Sequence, residues 1–345
     1  MSFKKNINSF WSGSCGPLLI AEIGGNHEGN FDEAKRLTKL AIKSSADCIK
    51  FQLYQGDSLV NHKLNPKRNK HFKKFELSKK ENLFLADMCK EANVIYNASV
   101  WDLKMLDWID SYLTFYKVGS GDMTAFPIIK EFVLRRKPIL LSTGLSNMDE
   151  VLETVDYIKS LDKKYDNPEM LCVLQCTSMY PIPESESNLE VMSKYKSLLG
   201  SSIGYSDHTV GSYALKNATI MGANVLEFHF TDSRKGKKFR DHQVSLTCDE
   251  VIELKKDIKR IYATKGDGIK KPQRSEIDSK HIESFRRGVY LKKQIKKGDI
   301  IKREDLIFLR PNVGTHSKNF ELVIGSKALK NIEPFDPIFL NIDYK

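Results

Sequence analysis

The sequence predicts an α/β fold, a (β/α)₈ TIM barrel followed by a small β-rich domain, on three observations. Short apolar runs alternate eight times with amphipathic helical stretches before residue 265. Eight such units in roughly 250 residues match the usual length of this barrel. A charged, turn-rich segment then sets off a tail of about 60 residues, too short for a comparable second domain. A doubly wound open sheet is the competing reading, but it more often has fewer strands and a glycine-rich first turn.

In chain order the strands are read over 17–23 (PLLIAEI), 47–53 (DCIKFQL), 93–99 (NVIYNAS), 114–119 (TFYKVG), 137–142 (KPILLS), 170–176 (MLCVLQC), 202–206 (SIGYS) and 224–230 (NVLEFHF). Helices are read over 31–44, 78–92, 148–162, 211–222 and 247–262, where apolar residues recur at helical spacing. These elements give a barrel over 1–265. Charge and turn formers in ATKGDGIKKPQRSEIDSK mark a linker over 266–283. In the terminal domain, 284–345, Ile295, Asp299 and Ile301 recur as Ile332, Asp336 and Ile338. That repeat predicts a pseudosymmetric β unit, which at this size is expected to dock on another surface.

The 345 residues carry 55 Lys+Arg against 44 Asp+Glu, a formal charge of +11; 41% are hydrophobic and 29% charged, the composition of a soluble globular protein. No apolar run approaches the ~20 residues of a membrane span, and the opening MSFKKNINSFW has no apolar core of a signal peptide, so the expected location is cytoplasmic. The six cysteines form no CxxC and read as reduced thiols. From Gly266 onward 17 basic residues face 11 acidic ones, so the surplus is concentrated in the tail. No nucleic-acid-binding motif accompanies it, and a solvated basic surface is the expectation.

Chemistry-bearing residues gather at the strand ends: Glu22; Lys50 and Gln52; Ser99; Lys117, Ser120 and Asp122; Ser142 and Thr143; Thr177, Ser178 and Tyr180; Ser206 and His208; Glu227 and His229. In a parallel barrel these ends converge on one mouth. Any one of them reads equally well as a satisfied core polar group, but the whole set does not, because an inward face carrying Lys, Gln, Glu and His is costly unless the groups pair or bind something. His208 and His229, at the ends of adjacent strands, are candidates to share one divalent cation, with Asp241 supporting it directly or through water. Lys117, Ser120, Ser142 and Ser206 offer an ammonium and hydroxyls suited to a phosphate, although the serines read as well as small fillers. The turn GGNHEGN lacks either nucleotide-binding glycine pattern, and its Asn26 is read as a helix cap. The basic stretch 62–74 reads as a solvated loop or, less often, a lid.

In order and spacing, IAEIGGNHEGN, IKFQLY, YKVGSGD, ILLSTG, LQCTSMYPIP, IGYSDHT, LEFHFT and RDHQVSL resemble the sialic acid (N-acetylneuraminate) synthase family, which includes legionaminic and pseudaminic acid synthases. The tail FRRGVYLKKQIKKGDIIKREDLIFLRP resembles the antifreeze-like (SAF) domain that ends those enzymes. The resemblance implies condensation of phosphoenolpyruvate with an open-chain N-acetylated hexosamine, such as N-acetylmannosamine, to a nonulosonic acid and phosphate. It implies a divalent metal, Mn²⁺ with Mg²⁺ or Co²⁺ as alternatives, on His208 and His229. It assigns phosphoenolpyruvate to Lys117, Ser120, Ser142, Ser178 and Ser206, and the sugar or its activating water to Glu22, Lys50, Gln52, Tyr180 and Asp241. Glu22, Lys50, Asp122 and Asp241 become the catalytic candidates. Arg310 falls on the arginine that the SAF domain inserts into a partner's barrel, which implies a domain-swapped homodimer. Asp122 stands where many members have Glu, Gln175 where His is common, Phe228 where a basic residue is common, and Phe239-Arg240 where Gly-Pro is usual. These departures bear on the sugar more than on the reaction. A diacetamido-hexose is therefore the alternative substrate, and a non-catalytic carbohydrate-binding protein the remote alternative.

Overall fold

The structure, a computed structural model, describes residues 9–345. Most of the opening MSFKKNINSFW lies outside the described residues. The chain divides into two compact units, Met1–Gly266 and Asp267–Lys345. Among the described residues no helix is long and apolar enough to cross a membrane.

All eight expected strands form: β1 Gly16–Glu22, β2 Cys48–Leu53, β3 Ile95–Val100, β4 Tyr116–Val118, β5 Ile139–Ser142, β6 Leu171–Cys176, β7 Ser202–Asp207 and β8 Val225–His229. They pair in parallel in the order β3-β2-β1-β8-β7-β6-β5-β4. At the remaining seam, between β3 and β4, the Asn97 side chain supplies the link, its Nδ2 donating to the Phe115 carbonyl at 2.8 Å.

Alternation along the strands sorts side chains into two cores. Outward residues such as Leu19, Ile49, Phe51, Val173 and Phe228 pack with the helices. Phe228, a family departure, therefore turns away from the barrel interior. Inward residues Leu18, Ile20, Cys48, Phe115, Leu140, Leu174 and Val225 form an apolar plug with the fully buried Trp11. Trp11 reaches this floor because a two-residue strand, Ser12–Gly13, turns back antiparallel onto β1, an element the sequence reading missed. Asp47 fastens that turn by accepting from the Ser14 and Leu19 amides at 2.8 and 3.0 Å.

Capping chemistry starts the helices. Asn30, not Asn26, caps the helix Phe31–Lys43 by accepting from the Glu33 amide. Reciprocal capping boxes open Lys79–Glu91 (Ser78 with Glu81) and Met148–Leu161 (Asn147 with Glu150). Cys248–Lys265 ends at Gly266, whose φ of 64° suits glycine. The basic stretch expected as a loop is a helix, Pro66–Phe75, begun by Asn65 with Pro66 in its first turn. Its Phe75 is buried, so an aromatic anchor overrode the high charge that suggested a loop.

In the second unit Gly288–Leu291 pairs antiparallel with Leu306–Leu309. The internal repeat is structural: Ile295 and Ile332 bridge each other, their amides donating reciprocally at 3.1 and 2.9 Å. Both are buried with Ile301 and Ile338 in one core. Segment 266–283 contains a short helix, Arg274–Asp278, and the start of another, His281–Ser284, while its side chains are mostly exposed.

Candidate active site

One layer above the apolar plug, the barrel interior turns polar. Register aligns Glu22 with Lys50 on one side and with His229 on the other, and Ser206 with Glu227. The Lys50 ammonium lies 2.6 Å from Glu22 Oε2 and 3.8 Å from Glu227 Oε2. Lys117 Nζ lies 3.5 Å from Glu227 Oε1 and donates to Ser142 Oγ. Gln52 Nε2 donates to Glu22 Oε1 at 3.0 Å, and Ser206 Oγ to Glu227 Oε1 at the same distance. Two ammonium groups and two carboxylates thus alternate in a buried row. Such a row is tolerable only because each charge has an opposite neighbour.

Burial sets the protonation tendencies, and the neighbours modify them. Burial pushes the Glu22 carboxyl above the usual range, with Lys50 opposing and Glu227 adding to the rise. Lys50 is disfavoured by burial, but Glu22 and Glu227 outweigh it and hold the ammonium firmly charged. For Lys117 burial prevails over Glu227, and Lys50 repels it too, so its proton is held less tightly than an ordinary lysine's. Burial alone would raise Glu227, but Lys117 and Lys50 together bring it below the usual range.

Ser120 and Ser178 both bring their hydroxyls against Gly144. The Gly144 amide donates to Ser120 Oγ at 3.0 Å, and a Cβ on Gly144 would stand 2.3 Å from Ser178 Oγ and 2.8 Å from Ser120 Oγ. Glycine after β5 is therefore what lets the two hydroxyls approach. Asp122 follows on the short turn Ser120–Asp122; it is half-buried, and burial raises its carboxyl against the pull of Lys117.

The two candidate histidines converge, with ring centroids 5.3 Å apart. Tyr180 packs on both, 4.1 Å from His208 and 5.5 Å from His229. His208 Nδ1 donates to the Thr177 carbonyl at 2.7 Å, which leaves Nε2 as the nitrogen able to ligate an ion. Burial, His208 and Lys50 push His229 well below the ordinary imidazole value, and its buried Nδ1 has no hydrogen-bond partner. Asp241 Oδ2 stands 3.9 Å from that nitrogen. Two imidazoles, one of them neutral with a bare buried nitrogen, fit a divalent ion that leaves other positions to water or substrate. Among the described residues no group of three or more His, Cys, Asp or Glu side chains is placed to hold a metal ion.

Asn26 has a different task from the one expected. Its Nδ2 donates to the Phe230 carbonyl and to Ser245 Oγ, both at 2.9 Å, and Ser245 Oγ donates to the Asp241 carbonyl at 2.6 Å. The turn after β1 thereby braces the segment that carries Asp241. Gln175 donates to the Ser187 carbonyl at 3.1 Å, a structural bond. Arg310 lies exposed in the second unit, its guanidinium 5.6 Å from the Phe285 ring. Glu227, expected at the mouth on one face with His229 but given no specific role there, is the link between the two lysines.

A family model described as the NeuB family matches residues 37–270, and a SAF domain model matches 286–341. The chain is 33% identical to the N,N'-diacetyllegionaminic acid synthase of Campylobacter jejuni, over 91% of this chain and 96% of that one. It is 30% identical to the N-acetylneuraminate-9-phosphate synthase of Homo sapiens, over 95% and 93%. The solved N-acetylneuraminic acid (sialic acid) synthetase of Leptospira borgpetersenii superposes with a TM-score of 0.70 at 28% identity, covering 77% of this chain and 92% of that one. With the family model spanning well over half of its length, the chain belongs to the NeuB family of synthases and carries a SAF domain at its C-terminal end.

Proposed function

We propose that the chain is a nonulosonic acid synthase that joins phosphoenolpyruvate to the open-chain aldehyde of an N-acylated hexosamine, such as N-acetylmannosamine, and releases phosphate. The observation that carries this reading is the buried row Glu22, Lys50, Glu227 and Lys117 beside the paired imidazoles. It supplies cationic donors for a phosphorylated acid next to carboxyls that can hold a proton. A diacetamido-hexose is the second reading, favoured by the likeness to the legionaminic acid synthase.

Lys117 and the hydroxyls of Ser120, Ser142, Ser178 and Ser206 bind phosphoenolpyruvate through charge-assisted hydrogen bonds. A divalent ion, Mn²⁺ with Mg²⁺ or Co²⁺ as substitutes, held by His208 and His229, would supply Lewis-acid polarisation of the aldehyde oxygen. Glu22 and Asp241, both raised by burial, hold or receive a proton at the sugar end, while Lys50 and Gln52 fix the Glu22 carboxyl. Asp122 takes a proton from the water that adds to the former enol carbon. Tyr180 walls the sugar against bulk water.

Phosphate release from phosphoenolpyruvate is expected only when an N-acyl hexosamine is present, to stop with EDTA and to return with Mn²⁺. His229→Ala should abolish it and weaken Mn²⁺ binding measured by electron paramagnetic resonance. Release indifferent to EDTA would remove the metal from the scheme. Mass spectrometry of the nine-carbon product over a sugar panel identifies the acceptor. We further propose a homodimer in which the SAF domain brings Arg310 to the sugar's N-acyl group in the partner barrel. Exposed apolar groups on each unit support it: Leu145, Met179 and Val210 on loops after barrel strands, and Phe335, Leu340 and Ile342 in the second unit. Light scattering should then give twice the chain mass. A cytoplasmic location suits an enzyme that consumes phosphoenolpyruvate.

A further inference from the structure

We propose that Arg240 is a specificity-determining residue that grips an anionic substituent, a phosphate or a carboxylate, on the end of the acceptor sugar remote from its aldehyde. The inference rests on the synthase reading of the same site and names the class of acceptor.

Arg240 immediately precedes Asp241 on the segment after β8. Its guanidinium lies 4.5 Å over the ring of Tyr180, and that ring packs in turn on His208 and His229. The Tyr180 ring thus contacts both the guanidinium and the imidazoles to which the proposed scheme brings the aldehyde. An acyclic sugar with its carbonyl at the imidazoles extends its far carbons along that ring.

The fork is free to bind. Its carboxylate contact is Nε to Asp241 Oδ1 at 3.4 Å, and the side chain remains 65% exposed. Arg234, by contrast, commits both terminal nitrogens to Glu250. A planar guanidinium stacked on an aromatic face with open donors matches two oxygens of one anion.

The surroundings favour an anion over a neutral hydroxyl. Phe239 packs 5.0 Å from Phe75 and 5.8 Å from His71, which holds the helix Pro66–Phe75 beside Arg240. That helix has no acidic residue and carries Lys67, Arg68, Lys70, Lys73 and Lys74, of which Lys73 is paired with Asp57. Arg240, Lys74 and Arg68 all act on His71, adding to burial in lowering its proton affinity, so their fields overlap at this wall. A cationic wall concentrates an anionic acceptor and does nothing for an uncharged one.

The test uses the full chain with phosphoenolpyruvate and Mn²⁺, and three acceptors: N-acetylmannosamine, its 6-phosphate, and N-acetylmannosaminuronic acid. The wild type should prefer one charged acceptor in kcat/KM, and the better of the two distinguishes phosphate from carboxylate. Arg240→Ala should reduce that preference by about 10- to 100-fold, mainly through KM of the charged acceptor, the effect of losing a charge-assisted hydrogen bond. Arg240→Lys should keep part of it and serves if the alanine variant folds poorly. A wild type that favours the neutral sugar, or an alanine variant that leaves the preference intact, overturns the proposal. Absence of sugar-dependent phosphate release with all three acceptors would instead overturn the synthase reading on which it rests.

Discussion

Lys50→Met is expected to lower the unfolding free energy by about 3–5 kcal/mol and to abolish product formation. Lys50 is the cation nearest to Glu22, at 2.6 Å, and it also stands 3.8 Å from Glu227. Without it Glu22 is a buried carboxylate with only the Gln52 amide for support, while Glu227 keeps Lys117 at 3.5 Å. A loss of that size is a large fraction of an ordinary domain's stability. Urea denaturation of the variant should show a lower midpoint at similar slope.

The pH dependence has a definite sign. Burial already raises the folded Glu22 above its ordinary value of 4.5, and loss of Lys50 raises it further. A carboxyl whose folded pKa is raised costs stability above that pKa, and the cost shrinks as pH falls towards the unfolded value. The deficit of Lys50→Met should therefore narrow on acidification. The double variant Lys50→Met with Glu22→Gln should recover much of the stability and none of the activity. Equal stability of wild type and Lys50→Met at pH 8 would mean that the row is not held as described.

The barrel was legible because each strand is an apolar run with polar residues at its end, and this pattern is local. Ile20 leading to Glu22 and Val225 leading to Glu227 show where plug becomes site along one inward face. The SAF repeat was legible for a similar reason, since Ile295 and Ile332 meet at the centre of their own core. What escaped the sequence reading depends on partners distant in the chain. Asn26 sits near a helix start, where capping is the local expectation, yet its partners are 204 and 219 residues away. Glu227 was legible as a mouth residue, but its task as a link was not, because its partners are lysines on β2 and β4. Trp11 stands in the polar opening MSFKKNINSFW, and only the turn of Ser12–Gly13 back onto β1 brings it to the floor of the barrel.

Lys117 is where electrostatics and substrate binding meet most directly, and its replacement should have the largest effect on phosphoenolpyruvate. The ammonium donates to Ser142 Oγ and lies 3.5 Å from Glu227 Oε1. In the proposed scheme it is the cation assigned to phosphoenolpyruvate, whereas Lys50 serves Glu22. Truncating one partner of a buried charge-assisted contact costs about 2–5 kcal/mol, so Lys117→Met should lower kcat/KM for phosphoenolpyruvate by roughly 30- to several-thousand-fold. KM for the sugar should change far less. Lys117→Arg should not rescue, because a planar fork cannot take the place of a compact ammonium beside Ser142. Burial first, then Lys50, holds the Lys117 proton less tightly than the ordinary lysine value of 10.5. As pH rises through that depressed value the ammonium is lost, so kcat/KM for phosphoenolpyruvate in the wild type should fall off below pH 10.5. In Lys117→Met that alkaline limb should vanish along with most of the activity. A limb that persists in the variant would assign the titration to another group and take phosphoenolpyruvate binding away from Lys117.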